Sequence, residues 1–440
     1  MQGFNANAAL AMTGKNTVND LYLLAINLTR RCNLHCPHCY LDADTRHDNS
    51  KNELSTTEVQ GLLNDVASRS NETMVVLTGG EPLLRKDLED IIAFGVERGL
   101  AMVVGTNGTA LTDRRVRSLK QAGALGAGIS IDSLDEHYHD RFRGLAGSWQ
   151  KTLAGVDACR RHDLSFQIHF SITDTNAHEL PAMIDFAKAS GARVLNIFFL
   201  VCTGRGESMS NISPLRYEQV LGELVTAQAR HTDLIIRARC APHFKRIAHQ
   251  HDPNSRLNRI SGRDGDGCIA GIHYCRITPE GSVTACPYIP EEEGNIRQQR
   301  FLDIWDHGSE FQRLRSPLLQ GKCGDCEYHL LCGGCRARPR ALGGDLMDAD
   351  PLCAYVPTGE RVIVPLSDIE GPRIPWDSEA SIRLARIPGF LRRLVKKRAE
   401  AYVAELGETQ VTTDHLATLS AQRFGGNHPA RPGCIKESRK

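Results

Sequence analysis

The chain has 440 residues and a mass of 48.5 kDa, enough for two to three domains with a sizeable core. Its 53 Lys and Arg against 52 Asp and Glu leave a formal net charge of +1, which supplies no basic footprint for nucleic acid. No run of about 18 apolar residues is present to span a bilayer, and the opening MQGFNANAALAMTGKNTVND lacks the basic and apolar regions of a secretory signal, so a cytoplasmic protein with neither nucleic acid nor membrane as partner is expected.

Residues 1–20 read as a flexible N-terminus. From 21 to 240, short apolar runs at 21–28, 74–77, 101–105, 126–131, 166–172 and 194–200 alternate with amphipathic stretches. The first such stretch opens with Ser55-Thr56-Thr57-Glu58, a capping box in which hydroxyl and carboxylate satisfy the free amides of a helix start. The others cover roughly 86–98, 112–122, 147–162, 178–189 and 214–230. This spacing predicts βαβ units on a parallel sheet. Six units predict an α/β fold with a partial (β/α)6 barrel, its site at the carboxyl ends of the strands.

Residues 241–370 lose that periodicity and hold eight of the 15 cysteines, between 268 and 353. In a reducing compartment clustered cysteines suit metal ligation better than disulfides, and ligation can replace a large core. Residues 371–425 read as a small helical domain, with Pro388 in the first turn of one helix and Thr412-Thr413-Asp414 opening another. Residues 426–440 read as a disordered tail.

Cys32, Cys36 and Cys39 follow the first strand in RRCNLHCPHCYLD. Three thiolates on one loop suit a [4Fe–4S] cluster whose fourth iron stays open. A zinc site is the alternative; it lacks a clear local fourth ligand, with His35 and His38 the available ones. Gly79-Gly80-Glu81-Pro82 follows the second strand, Thr106-Asn107-Gly108-Thr109 the third, and Ser130-Ile131-Asp132-Ser133 closes the fourth.

Together these pieces resemble the radical SAM superfamily over about 220 residues. The resemblance implies that the open iron chelates the amino and carboxylate groups of S-adenosylmethionine, and that one electron yields a 5′-deoxyadenosyl radical able to take hydrogen from an unactivated carbon. It implies catalytic cluster ligation by Cys32, Cys36 and Cys39, and cofactor contacts from Gly79, Gly80, Glu81, Asn107, Ser130, Asp132, Arg143 and Leu200. Arg143 is expected at the methionine carboxylate and Leu200 at the adenine. An electron donor such as flavodoxin or ferredoxin is implied as partner.

The second array, Cys268, Cys275 and Cys286, then Cys323, Cys326, Cys332 and Cys335, then Cys353, resembles the SPASM domain of radical SAM maturases, which carries two auxiliary [4Fe–4S] clusters. Twelve residues separate Cys268 from Gly281, as in that pattern, whereas only Gly333 and Gly334 separate Cys332 from Cys335, one residue fewer. The resemblance implies one set of Cys268, Cys275, Cys286 and Cys335, and another of Cys323, Cys326, Cys332 and Cys353. Zinc is the alternative occupant. Sulfatase maturases place an aspartate base after the third cysteine; Pro287 stands here and has no titratable side chain. Cys159 reads as a buried small hydrophobe and Cys202 as a candidate substrate contact.

Residues 376–422 resemble the C-terminal helical domain found in light-independent protochlorophyllide reductase, through Trp376, the Ile387-Pro388 step and Thr412-Thr413. There the domain borders a tetrapyrrole, and Arg392, Arg393, Lys396, Lys397 and Arg398 are the charges that could meet propionates. His169, His243 and His273 are candidate axial ligands by residue type. The barrel and auxiliary array resemble the haem-biosynthesis branch of SPASM proteins. That branch implies modification of a tetrapyrrole side chain, such as propionate decarboxylation. A maturase acting on a ribosomally made peptide or protein is the alternative.

Overall fold

The computed structural model describes residues 21–43, 52–209, 212–231, 233–259, 267–365, 374–387 and 389–424. The expectations for 1–20, 426–440 and Pro388 lie outside the described residues. All six apolar runs form parallel strands: β1 (Leu23–Asn27), β2 (Met74–Thr78), β3 (Ala101–Thr106), β4 (Gly126–Ser130), β5 (Phe166–Ile172) and β6 (Val194–Phe199). Between them run α1 (Thr56–Arg69), α2 (Leu88–Glu97), α3 (Asp113–Gln121), α4 (Glu136–Arg143), α5 (Ser148–Arg161) and α6 (Leu180–Ala189). The capping box forms at α1: the Glu58 amide donates to Ser55 Oγ at 3.3 Å, and the Ser55 amide donates to the Glu58 carboxylate at 2.7 Å.

The sheet continues past the six expected strands. After α7 (Pro214–Arg230) a seventh parallel strand, β7 (Ile235–Arg239), joins β6, followed by α8 (His243–His251). On the other edge β8 (Tyr274–Ile277) pairs parallel with β1, and β9 (Ser282–Thr284) and β10 (Glu292–Asn295) add an antiparallel margin. The order is β10-β9-β8-β1-β2-β3-β4-β5-β6-β7, so among the described residues the sheet has two open edges and the barrel is partial. One sheet therefore crosses the boundary expected at residue 240. β7 and α4 escaped the sequence reading because their apolar signal is interrupted by charge: β7 reads IIRAR and α4 reads EHYHDRFR.

Strand alternation splits the sheet into two faces. Leu24, Ile26, Val75, Leu77, Val104, Ile129, Ile168, Phe170, Leu195, Ile197 and Ile236 are buried in one continuous core that also takes in the helices, each such side chain worth roughly 1.5–3 kcal/mol. The opposite face carries some apolar residues, such as Val76, Val103 and Phe198, among small or polar ones: Asn27, Thr78, Gly105, Gly128, Ser130, His169, Asn196 and Arg239. Asn196 Nδ2 donates to Gln167 Oε1 at 2.8 Å, and Arg239 Nε donates to Asn196 Oδ1 at 2.9 Å. The barrel interior is therefore polar near β5, β6 and β7.

Beyond β10 lie α9 (Phe301–His307), α10 (Ser309–Arg315) and the one-turn helices α11 (Gly321–Gly324) and α12 (Ala337–Ala341). The C-terminal α13 (Ser378–Ala385), α14 (Gly389–Glu405) and α15 (Thr413–Phe424) enclose a small core of their own, with Ile374, Ala380, Ala399, Val403, Val411 and Leu416 buried. No helix among the described residues is long and apolar enough to cross a membrane.

Candidate active site

The loop after β1 carries Cys32, buried, and Cys36 and Cys39, half-buried, over a satellite cluster with Leu34, Leu41 and Ala43. Backbone amides point at sulfur: Leu34 N lies 3.4 Å from Cys32 Sγ and Ala43 N 3.4 Å from Cys39 Sγ. The loop is seated by close backbone contact with the turn after β2. Gly80 N donates to Thr29 O at 2.7 Å and Glu81 N to Arg31 O at 2.8 Å. A Cβ on Gly80 would lie 2.2 Å from Arg31 O, and Gly79 sits at φ +133 with Thr29 O equally obstructive at 2.6 Å. Only glycine fits there. The approach these glycines make is to the cysteine loop itself.

Glu81 is fully buried, and both its oxygens are in use. Leu83 N at 3.1 Å and Thr106 Oγ1 at 2.8 Å donate to Oε1, and Asn107 N at 2.9 Å donates to Oε2. Burial raises its pKa against the pull of these hydrogen bonds. Glu81 thus fastens the ends of β2 and β3 together. Asn107 carries the link onward, with Nδ2 2.9 Å from Asn33 Oδ1 in the cysteine loop.

Asp132 and Arg143 form a buried ion pair. Burial favours the neutral Asp132 carboxyl, yet the Arg143 guanidinium, with His38 and His139, holds it below the usual range. Asp132 Oδ1 also accepts from Ser171 N at 2.8 Å. The Arg143 carbonyl accepts from His35 N at 3.3 Å, and its Nη1 lies 4.0 Å from Cys36 Sγ. Arg143, expected at a ligand carboxylate, is thus engaged with Asp132 and the cysteine loop, while its buried Nε has no hydrogen-bond partner. Ser130 and Leu200 lie half-buried at the ends of β4 and β6. The expected strand-end residues therefore converge on one end of the sheet.

Arg205 escaped the sequence reading and clamps the loop from the far side. Its Nε donates to Cys36 O at 3.0 Å, Nη1 to Asp42 Oδ1 at 2.8 Å and Nη2 to Ala43 O at 2.8 Å. His38, a possible zinc ligand, stacks on Phe142 with centroids 4.3 Å apart, and burial lowers its pKa to about 4. Three thiols, two of them with amides aimed at sulfur, beside a buried guanidinium with an unused N–H, fit an anionic cluster and a carboxylate-bearing ligand. Burial pushes the Cys32 thiol up to about 12, so binding iron there must release protons.

In the second array Cys323, Cys326, Cys332 and Cys353 line one pocket. Gly333 and Gly334, at φ +64 and +70, make the turn that the shortened Cys332–Cys335 spacing requires. The first expected set is only partly assembled. Burial and the neighbouring Cys335 and Cys268 raise the Cys286 thiol, whereas Cys275 packs in the helix-side core. Strand alternation is the cause, because Cys275 is in register with Leu24. Cys240 joins the other three. Tyr40 bridges the two regions: its hydroxyl accepts from Asn27 Nδ2 at 2.8 Å, and its ring meets Tyr288 at 5.7 Å. No disulfide joins the 14 described cysteines, and no group of three or more His, Cys, Asp or Glu among the described residues closes on a single metal ion.

Of the remaining candidates, Cys159 is fully buried in the core, and Cys202 Sγ lies 3.5 Å from Met209 O. His243 hydrogen-bonds Tyr217 Oη at 2.8 Å, and His273 stacks on Tyr22 at 4.3 Å. His169, packed against Phe198 and Gly128, faces the barrel interior. Arg392, one of the charges that could meet propionates, donates to Ile387 O and Ala385 O, each at 2.9 Å, at the end of α13. The side chains of Arg393 and Lys397 lie outside the described residues.

Residues 26–187 match the Radical SAM superfamily and residues 268–335 the Iron-sulfur cluster-binding domain. The AdoMet-dependent heme synthase of Methanosarcina barkeri is 38% identical over 341 residues, covering 76% of this chain and 97% of that protein. The chain belongs to the radical SAM superfamily. It is an iron–sulfur enzyme that uses S-adenosylmethionine, with auxiliary clusters in addition to the one that binds it. The PqqA peptide cyclase of Granulibacter bethesdensis is 26% identical, covering 78% of this chain and 89% of that protein. The crystal structure of Streptococcus suis SuiB bound to S-adenosylmethionine shares the fold at a TM-score of 0.63 and 16% identity, covering 77% of this chain and 78% of that one. Residues 376–419 match the Proto-chlorophyllide reductase 57 kD subunit.

Proposed function

We propose that this radical SAM enzyme modifies a tetrapyrrole side chain, with propionate decarboxylation in haem synthesis as the fitting reaction. The observation that carries the reading is the 38% identity to a heme synthase over 341 residues, 97% of that protein. In this reading Cys32, Cys36 and Cys39 would hold a [4Fe–4S] cluster, and S-adenosylmethionine bound to it would supply the radical chemistry that takes a hydrogen atom from the substrate. Glu81 and Asn107 fasten the strand ends to the cysteine loop, and Arg143 and Asp132 fix the charge beside Cys36. The polar residues of β5–β7, Gln167, His169, Asn196 and Arg239, suit a carboxylate-bearing substrate. The electron would come from a small carrier such as flavodoxin or ferredoxin in the cytoplasm. The alternative, modification of a ribosomally made peptide or protein, draws on the 26% identity to a peptide cyclase.

The test is anaerobic titration of the reconstituted enzyme with iron porphyrins bearing propionates and, separately, with precursor peptides. A shifted visible band is expected only with porphyrin. Turnover with S-adenosylmethionine and reductant is expected to give a product lighter by carbon dioxide and a hydrogen pair per converted side chain. Binding and turnover confined to the peptide would replace the tetrapyrrole reading with the alternative.

A further inference from the structure

We infer that Cys240, and not Cys275, is the fourth thiolate of the first auxiliary [4Fe–4S] site, with Cys268, Cys286 and Cys335. This rests on the reading that the cysteine-rich stretch binds two auxiliary clusters.

The first argument is which way Cys275 faces. β8 pairs with β1 so that Leu24 stands beside Cys275 and Ile26 beside Ile277. Paired residues of neighbouring strands share a face of the sheet. Leu24, Ile26 and Ile277 all lie in the helix-side core, and Cys275 lies there with them, with no measurable exposure. The charged neighbour that acts on its thiol is Arg315, whose guanidinium lies 4.4 Å over Trp305 and donates to Gly271 O at 2.9 Å. The flanking Tyr274 and Arg276 point the other way. Arg276 donates to Thr284 Oγ1 at 3.1 Å and to Pro287 O at 3.3 Å, beside Cys286, and Thr284 Oγ1 in turn donates to the Cys286 carbonyl at 3.1 Å. For Cys275 to reach Cys286, β8 would have to slip by one residue, which would turn every side chain of the strand over.

The second argument is how Cys240 is held. It is the residue after β7, on the opposite edge of the parallel array from β8, and its φ of +56 is left-handed, uncommon for a residue with a Cβ and kept only where the surroundings enforce it. What enforces it is the segment carrying Cys335. The Arg338 guanidinium donates to the Cys240 carbonyl. Arg338 also donates to Asp350 Oδ2 at 2.6 Å, and that same oxygen accepts from the Cys335 amide at 2.7 Å. A fully buried ion pair thus fixes the backbones of Cys240 and Cys335 relative to one another. Four cysteines complete a [4Fe–4S] site, and this grouping supplies four where the resemblance-based set supplies three.

The experiment compares Cys240→Ser with Cys275→Val in the full-length protein, reconstituted anaerobically. Valine preserves the apolar packing around position 275. Iron per chain and the electron paramagnetic resonance of the reduced clusters are measured, and circular dichroism selects natively folded protein. The wild type is expected to hold about twelve irons. Cys275→Val is expected to keep all of them with unchanged spectra. Cys240→Ser is expected to fall to about eight irons, or to show the altered signal of a cluster with one oxygen ligand, while still cleaving S-adenosylmethionine. A folded Cys275→Val protein lacking about four irons would overturn the assignment, as would a Cys240→Ser protein with native iron and native spectra. A wild type holding only about four irons would overturn the auxiliary-cluster reading as well.

Discussion

The parallel strands and the cysteine-rich stretch after them are stabilised by different means. Each strand from β1 to β7 sends apolar side chains into one core, and its neighbours hold it in register. Between residues 318 and 365 helices shrink to single turns, and Leu318 and Val356 stand 81% and 77% exposed. Beside a few apolar side chains such as Leu331, Leu346 and Met347, charged groups are buried there: Glu327, Arg336, Arg338 and Asp350 are each 4% exposed or less. Arg336 donates to Leu346 O at 2.9 Å and to Asp348 O at 3.0 Å, and Arg338 pairs with Asp350. Buried ion pairs roughly break even against their desolvation. Such a network positions thiols well, but adds little net stability until metal binds.

Removing thiols from each region separates the two cases most widely. The combined Cys32→Ala, Cys36→Ala and Cys39→Ala variant is expected to lose all S-adenosylmethionine cleavage and about a third of its iron. The barrel should remain folded, because its core does not depend on those thiols, and circular dichroism and thermal unfolding check this. Retained cleavage would break the radical SAM assignment of that loop. The next largest effect falls on the other region. Cys323→Ala, or chelation of the iron, is expected to abolish hydrogen-exchange protection across 318–365 and leave β1–β7 protected. Uniform loss of protection in both regions would show that the two fold as one unit. Elemental analysis finding zinc in place of iron at the auxiliary thiols would remove any electron-carrying role.

What could be read from the sequence divides along the same line. The six strands and the α1 capping box were legible because apolar periodicity and capping are local signals. The grouping of Cys323, Cys326, Cys332 and Cys353 came from the SPASM resemblance and not from local spacing, and the four line one pocket. The choice between Cys240 and Cys275 was not legible. The face that Cys275 presents depends on the register of β8 against β1, about 250 residues away in the chain. The Arg205 clamp likewise reaches back 169 residues to Cys36, and nothing near Arg205 announces it. The carbonyls at the end of α13 that Arg392 meets were likewise not announced by the basic run around it.

The C-terminal helices form a third region, whose core is separate from the other two. Trp376 Nε1 donates to Glu400 at 3.0 Å, and Trp376 bridges to Val411, so the features that carried the reductase resemblance also hold this module together. Deleting 374–424 is expected to leave S-adenosylmethionine cleavage within about twofold of the wild type and, if the module helps hold a tetrapyrrole, to weaken porphyrin binding about tenfold. That corresponds to about 1.4 kcal/mol, of the order of one charge-assisted hydrogen bond. Fluorescence or visible titration measures it. Unchanged porphyrin affinity would return the helices to a purely structural role.

The smallest effect lies where the first two regions meet. Arg297, just past β10, pairs with Glu58 in the first turn of α1 at 2.6 Å. The hydrogen bond from Arg297, then that from the Ser55 amide, lowers the Glu58 carboxyl to about 2 from an ordinary 4.5. A carboxylate with a depressed pKa stabilises the fold above its unfolded pKa, and that stabilisation is lost as pH falls through the folded one. The window here runs from about 4.5 down to about 2. Both side chains are 35% exposed, so solvent screening limits the contribution to about 1 kcal/mol or less. Glu58→Gln keeps an acceptor for the Ser55 amide and removes only the charge. Urea unfolding is therefore expected to find the variant less stable by up to that amount at pH 6 and indistinguishable from the wild type near pH 2. A deficit that persists undiminished at pH 2 would mean that the pair joins the regions by shape and not by charge.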